Sequence, residues 1–269
     1  MEMSNSPLDN SCEIFLATDI RIRSVASIAL SSSLQAAMEQ EWERALERNP
    51  GLFNGEILLL QDWKSDSEGV LRISASWGTY QMFLASRAIP VMRDIVRPLG
   101  VSGIMVCEVG SEVETKDGVI FPASALVFAR RSSMVATYPN YWELMPSGSI
   151  SRNTTELNNN SAIDYLHQLL EEFEQETGLN ADDSIKQTIP FALIFDKQAN
   201  IYDICVRLNL TVPQAALAAQ FRGNDEYTEL KCVSLPDIPR FLQNHLSDIV
   251  PTSKVLAEAF IRVAASEVV

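Results

Sequence analysis

"LLEEFEQETGL", Leu169 to Leu179, closes an amphipathic pattern with four carboxylates, no cation and then a glycine. At about 100° per residue, Ile163, Leu166, Leu169, Leu170 and Phe173 gather on one apolar face of a helix, with Glu172, Gln175 and Glu176 expected on the opposite side. Gly178 marks the stop. The helix dipole makes this end the worst place for negative charge: each acid costs on the order of 0.3–1 kcal/mol, and the i,i+4 pair Glu172/Glu176 repels by about 0.2–0.5 kcal/mol. No lysine or arginine lies between Arg152 and Lys186 to relieve it. Hard divalent cations bind through carboxylate oxygens, so an acidic pair one turn apart on a rigid helix suits such an ion. A solvated acidic face accounts for the same charges without one.

Outward from this helix, the chain alternates strand-like and helical runs. "EIFLATDIRI" reads as a strand and "LQAAMEQEWERALERNP" as a helix stopped at Pro50-Gly51. "GEILLLQDW" and "GVLRISASW" read as strands around the turn "KSDSEG". "RPLG", Arg97 to Gly100, interrupts the pattern, which divides the chain into an N-terminal α/β extension over 1–98 and a core over 99–269. The core opens with "VSGIMVCEV", continues through "VIFPASALVFARR" and a turn at Pro139-Asn140, and reaches a short strand "YWELM" closed by "PSGS". A polar Asn-rich stretch, 152–161, follows, with Ser161 a suitable N-cap for the next helix. Beyond that helix come paired strands "QTIPFALIFD" and "IYDICVRLNL", a short helix at "PQAALAAQ", a strand near "TELKCVSL" and C-terminal helices. Mixed strands with few, separated helices indicate an α/β or α+β sandwich rather than a regular βαβ array.

Composition narrows the partners. A length of 269 residues, 46% of them apolar, suffices for a full core, and a net charge of −14 repels nucleic acid and anionic membranes unless a basic patch intervenes. None is visible in the sequence. No apolar run approaches the roughly 20 residues of a membrane span, and the N-terminus lacks the basic and apolar segments of a signal peptide, so the expectation is a cytoplasmic protein. Cys12, Cys107, Cys205 and Cys232 show no CxxC spacing and are expected as free thiols. His167 and His245 have no nucleophilic partner at motif spacing, and Trp42, Trp63, Trp77 and Trp142 are expected in packing.

The stretch "EEFEQETGL" resembles the second half of the Nudix box, GX5EX7REUXEEXGU, with U a bulky aliphatic residue. Anchored on Glu176-Thr177-Gly178-Leu179, the box arginine falls on Glu171, the next glutamate on Glu172, and the paired glutamates on Gln175 and Glu176. Two of these four positions depart from the pattern. Upstream, "FARRSSMVATYPNYWELMPSGSIS" is similar to the Nudix segment from a strand through an arginine-bearing loop to Trp, Pro and a Gly-Gly turn, with Ser147-Gly148 in place of the two glycines. The box's first glutamate would fall on Thr154, and Glu156 is the nearest acid. The N-terminal "WERALERNPGLFNGEILLL" resembles the segment before the core in a branch that includes nucleotide-sugar hydrolases.

The resemblance implies an α/β/α sandwich with a mixed sheet, and cleavage of a nucleoside diphosphate linked to another group with Mg²⁺ or Mn²⁺. It implies Glu172 and Glu176 as metal ligands, the Gly148 carbonyl as a further ligand, and Arg130 or Arg131 as the contact to substrate phosphate. A later loop, "GNDEYTELKCVSL", offers Asp225, Glu226 and Glu229 as a further catalytic carboxylate, with Glu226 the first choice. The partner implied is a small nucleotide conjugate, a nucleotide sugar being one candidate. Gln175 and Glu171 support a second reading: a Nudix fold that has lost turnover and serves as a binding or regulatory module.

Overall fold

The computed structural model describes residues 11–108, 113–114, 120–121, 124–135, 137–152 and 162–267. "EIFLATDIRI", expected as one strand, divides at Ala17-Thr18 into β1 (Cys12–Leu16) and β2 (Asp19–Ser24), which join different sheets. The Thr18 amide bonds Gly69 O at 3.0 Å, which turns the chain from one sheet to the other. α1 (Ser32–Arg48) follows, capped by the Ser31 side chain. β3 (Glu56–Ser65) and β4 (Val70–Thr79) are the expected hairpin, and β2 adds parallel to β4, giving a three-stranded sheet. Short helices α2 (Tyr80–Ser86) and α3 (Pro90–Arg93) lead from β4 to β5 (Leu99–Glu108).

The register of this small sheet places Arg21 beside Arg72, and Arg72 beside Lys64. That basic row is invisible in the sequence because its members are far apart, and Asp19 and Asp66 partly neutralise it through ion pairs to Arg21 at 2.7 Å and Arg72 at 3.4 Å.

After the two-residue strands β6 (Val113–Glu114) and β7 (Ile120–Phe121), the chain forms β8 (Ser124–Arg131), β9 (Trp142–Leu144) and β10 (Ser147–Ser149). The expected closing turn "PSGS" is therefore itself a strand, paired with β5. Helix α4 (Tyr165–Thr177) is capped by Asp164, whose side chain accepts the His167 amide at 3.1 Å. Ser161, expected in that role, lies with Thr154 and Glu156 outside the described residues. Then come α5 (Ala181–Ser184), the hairpin β11 (Ile185–Asp196) and β12 (Ile201–Leu210), α6 (Gln214–Gln220), β13 (Tyr227–Ser234), α7 (Ile238–Asn244) and α8 (Pro251–Glu267).

The main sheet runs β1-β11-β12-β5-β8-β13, with β10 beside β5 and β9 beside β8; β12 and β5 are parallel and the other pairs antiparallel. Strand alternation sends Val101, Met105, Val127 and Val206 to one face, where they meet Leu169 and Phe173 of α4 and the inner residues of the small sheet, such as Leu58 and Ile73. Ile104, Leu126, Phe128 and Cys205 face the other way, onto Phe241 of α7 and Phe260 of α8. This is the α/β/α sandwich with a mixed sheet that the resemblance implied. The described residues of 11–98 contribute β1 to the main sheet and share one continuous core with those of the stretch after it. Trp77 and Trp142 are buried, and the four cysteines are free thiols.

Candidate active site

The acidic end of α4 resolves into two groups. Glu171 and Glu174 turn away from the core: Glu171 meets His167 at 3.5 Å, while Glu174 accepts the Ala181 amide at 2.8 Å and the Asn180 side chain at 3.2 Å, tying α4 to α5. Glu172 and Glu176 turn inward. They were expected opposite the apolar face; they adjoin it, because the stripe the helix buries runs through Tyr165, Leu169, Phe173 and Glu176. Gly178 at φ +73° ends the helix in the left-handed region, and Asn224 donates to the Glu176 carbonyl at 3.1 Å, satisfying one of the end groups the helix leaves open.

Glycines let these acids approach the sheet. Gly148 sits on β10 opposite Val101, and a Cβ there would lie 2.1 Å from Oε1 of Glu172. Gly100 sits between Asp203 on β12 and Ser149 on β10, and a Cβ there would lie 2.5 Å from Oδ1 of Asp203 and 2.9 Å from the Gly148 carbonyl oxygen. The Asp203 carboxylate and the Gly148 carbonyl thus share the space that Gly100 leaves free. Gln168, one turn before Glu172, donates to Glu172 Oε1 at 2.9 Å while its own oxygen accepts from the Ser151 amide and hydroxyl at 3.0 and 2.9 Å.

Glu176 is only 5% exposed; Oε1 accepts the Ser147 amide at 3.0 Å, and Oε2 has no hydrogen-bond partner among the described residues. Burial holds its pKa well above the carboxylate range, and Glu143, Glu226 and Glu172 add to the rise against the Ser147 amide. Burial likewise pushes Glu172 up to about 7, with Glu226 and Glu171 contributing and Gln168 opposing. Glu226 is raised by burial and by Glu143, against the pull of Arg131. Asp203 is pushed up to about 7 by burial, then by Glu143 and Asp196.

Glu172, Glu226, Gly148, Arg131, Glu143 and Asp203 line one cleft of about 350 Å³; Glu176 is not among its lining residues and lies behind Ser147, which is. Arg131 pairs with Glu143 and donates its Nε to Thr137 O at 3.1 Å. Burial alone would lower the Arg131 pKa, and Glu143 and Tyr227 outweigh it. Tyr227 donates to Glu143 at 3.0 Å and lies 3.2 Å from the Ser147 hydroxyl, so a chain of contacts runs from Arg131 to the segment that holds Glu176. Arg130, the neighbour on β8, is placed elsewhere: it meets Asp248 at 3.3 Å and stands over the Trp142 ring at 5.5 Å, outside the cleft. Adjacent strand residues point to opposite faces, so the two arginines cannot serve one phosphate.

Glu143, Asp203 and Tyr227 were not anticipated. Glu143 had a signal in "WEL", where flanking apolar residues send the middle side chain to the other face; Asp203 had one as a lone acid in an apolar strand. Tyr227 had none.

The donors suit a hard divalent cation: the Glu172 carboxylate against the Gly148 notch, and Glu176 Oε2, buried and without a hydrogen-bond partner among the described residues. Among the described residues no three His, Cys, Asp or Glu side chains converge into a ready metal cluster. Of the expected ligands, Glu172 and Gly148 line the cleft together with Glu226, and Glu176 lies behind Ser147 with its Oε1 on the Ser147 amide.

No family model matches the chain, and no curated protein matches it. Comparison with solved structures returns 91 matching chains. They include a Nudix hydrolase from M. smegmatis, RenU (13% identity, 62% of this chain and 85% of that one, TM-score 0.41). An Ap4A hydrolase from C. elegans matches at 12% identity over 62% of this chain and 98% of that one, TM-score 0.35. An ADP-ribose pyrophosphatase from Streptococcus suis matches at 14% identity over 63% and 92%, TM-score 0.33. At such scores the likeness leaves the site to be judged on this chain's own residues.

Proposed function

We propose that the protein is a Nudix-type hydrolase that cleaves a nucleoside diphosphate linked to another group, a nucleotide sugar being one candidate, with Mg²⁺ or Mn²⁺. The observation that carries this reading is Glu176 Oε2, a buried carboxylate oxygen with no hydrogen-bond partner among the described residues, on a side chain whose Oε1 accepts the amide of Ser147, the residue before the Gly148 that Glu172 packs against. Leaving a buried polar group unsatisfied costs about 1–3 kcal/mol, more when it is charged, which an ion in that place offsets. Glu172, Glu176 and the Gly148 carbonyl would hold the ion. When bound, the ion supplies a Lewis acid that neutralises charge on the diphosphate.

The protein's own groups do the rest. Arg131, fixed in direction by Glu143 and the Thr137 carbonyl, presents a planar cation to phosphate oxygens. Glu226, at the same cleft and with its pKa raised by burial, accepts a proton from the attacking water. Gln168 sets the rotamer of Glu172. The reading as a binding or regulatory module rests on Gln175, whose amide oxygen is a poorer ligand than a carboxylate, and on Glu171, which stands where the box has an arginine. Gln175 is exposed whereas Glu176 is 5% exposed, so the missing charge lies on the solvent side of the helix end.

The test is hydrolysis of a panel of nucleoside diphosphate conjugates with Mg²⁺ or Mn²⁺, wild type against Glu176→Gln. A loss of at least about a hundredfold is expected on removing one such group. Equal rates in the two proteins would remove the assignment. Activity that emerges only in Gln175→Glu would support the binding module.

A further inference from the structure

The N-terminal sheet turns a charged face outward. In β2 and β4, Ile20, Ile22, Leu71 and Ile73 point into the core, so Arg21, Arg23, Arg72 and Ser74 alternate to the other side. β3 joins that face through a bulge. Leu58 and Leu60 are in the core, and an unbroken strand would carry Asp62 and Lys64 inward after them; the register slips between Leu60 and Asp62, Trp63 turns in to pack on the core, and Lys64 comes out opposite Arg72. The result is a row of three cations on neighbouring strands, Arg21, Arg72 and Lys64, with Arg23 in the next row. These four and Asp62 supply the charges around a depression of about 390 Å³ that shares no lining residue with the cleft.

We propose that this face binds a small free anion carrying two or three phosphoryl groups, gripped by Arg21, Arg72 and Lys64. Three observations carry it. Like charges directly opposite one another across a sheet are destabilising, yet this chain, with 35 acidic residues to 21 basic, sets three cations side by side; an anion between them offsets the repulsion. The cations are also available. Lys64 has no ion pair or side-chain hydrogen bond among the described residues, Arg23 bonds the Ser74 hydroxyl at 3.0 Å, and Asp62 forms no ion pair there. Arg21 and Arg72 hold Asp19 and Asp66 at exposed positions, where an ion pair is worth little and yields to a ligand of higher charge. Spacing sets the size: two strand spacings, roughly 10 Å, separate the backbones of Arg21 and Lys64, so two or three phosphoryl groups span the row better than one. A net charge of −14 disfavours the approach of a long polyanion or an anionic membrane, and planar guanidinium forks match phosphoryl oxygens.

The test is calorimetry in EDTA with inorganic triphosphate, orthophosphate and hexaglutamate, together with sedimentation on phosphatidylserine vesicles. Wild type is expected to bind triphosphate, and orthophosphate roughly tenfold or more weakly, because one further charge-assisted contact is worth at least that much affinity. Lys64→Gln, which breaks no side-chain contact among the described residues, is expected to weaken triphosphate roughly tenfold. Arg72→Gln with Lys64→Gln is expected to abolish binding at an unchanged melting temperature. Arg131→Gln, in the cleft, is expected to bind triphosphate as the wild type does. Wild type that ignores triphosphate, a double variant that retains it, a loss in Arg131→Gln matching that of the double variant, or hexaglutamate or vesicles held as tightly as triphosphate overturns the inference. The measurement needs neither metal nor turnover, so its outcome is separate from that of the hydrolase reading.

Discussion

Glu172 occupies the space that a side chain on Gly148 would fill: a Cβ at that glycine would lie 2.1 Å from Oε1 and 2.3 Å from Cδ. The notch is what lets a helix carboxylate lie against the backbone of β10. Gly148→Ala is therefore expected to push Glu172 out of the cleft, at a cost of about 1–3 kcal/mol for overpacking. Mn²⁺ affinity, followed by the paramagnetic resonance of the free ion, should fall roughly tenfold or more as one of two carboxylate ligands is displaced. A variant that folds and binds Mn²⁺ as the wild type does would exclude Glu172 as a ligand.

The raised carboxylates give stability a pH dependence with a definite sign. Glu172 moves from 4.5 to about 7 on folding, and Glu176 moves in the same direction. Between those values the unfolded chain has released protons that the folded protein keeps. Stability is therefore whole below the unfolded pKa and falls as pH rises through the window. Without metal, the melting temperature should drop by a few degrees between about pH 5 and pH 8, and Glu172→Gln should flatten that slope. Mg²⁺ should then stabilise more at about pH 8 than at about pH 6, since the ion binds the deprotonated pair. A metal effect that is independent of pH would count against these two ligands.

Gln168 offers a subtler test of the same pair. Its amide donates to Glu172 and favours the charged carboxylate, while its oxygen is held by Ser151. Gln168→Leu keeps the volume and removes the donor, so Glu172 should hold its proton to higher pH. Weaker Mn²⁺ binding near pH 7 that recovers near pH 9 is expected; a loss that persists at the higher pH would point to a change of packing.

The helix that carries the site was legible because an apolar stripe of period 3.6 and a terminal glycine are local signals, and so was the hairpin of β11 and β12. What was not legible depended on approach between distant segments. The strand break at Ala17-Thr18 follows from a bond to Gly69, and β10 is a strand because it lies beside β5. Glu176 was expected opposite the apolar face because a helical projection shows direction and not what stands opposite; β10 stands there and buries it. Asp203 enters the cleft over Gly100, a pairing between residues about a hundred positions apart that no local pattern encodes.

The two adjacent arginines make opposite predictions. Arg130 rests on the outer face, with Asp248 at 3.3 Å and the Trp142 ring at 5.5 Å, half-exposed on both sides of its ion pair. Arg130→Ala should lose about 0.5–1 kcal/mol of stability and leave turnover unchanged. Arg131 is more enclosed, and Glu143 beside it would be left with Tyr227 as its remaining donor. Arg131→Ala is expected to cost on the order of 3 kcal/mol and to reduce kcat/KM by at least about a hundredfold. Arg131→Lys keeps the charge but not the planar fork that spans Glu143 and Thr137 O, so it should restore stability further than it restores kcat/KM. Denaturant titration and steady-state kinetics on the three variants separate these outcomes; a larger loss of turnover in Arg130→Ala than in Arg131→Ala would reverse the assignment of the phosphate contact.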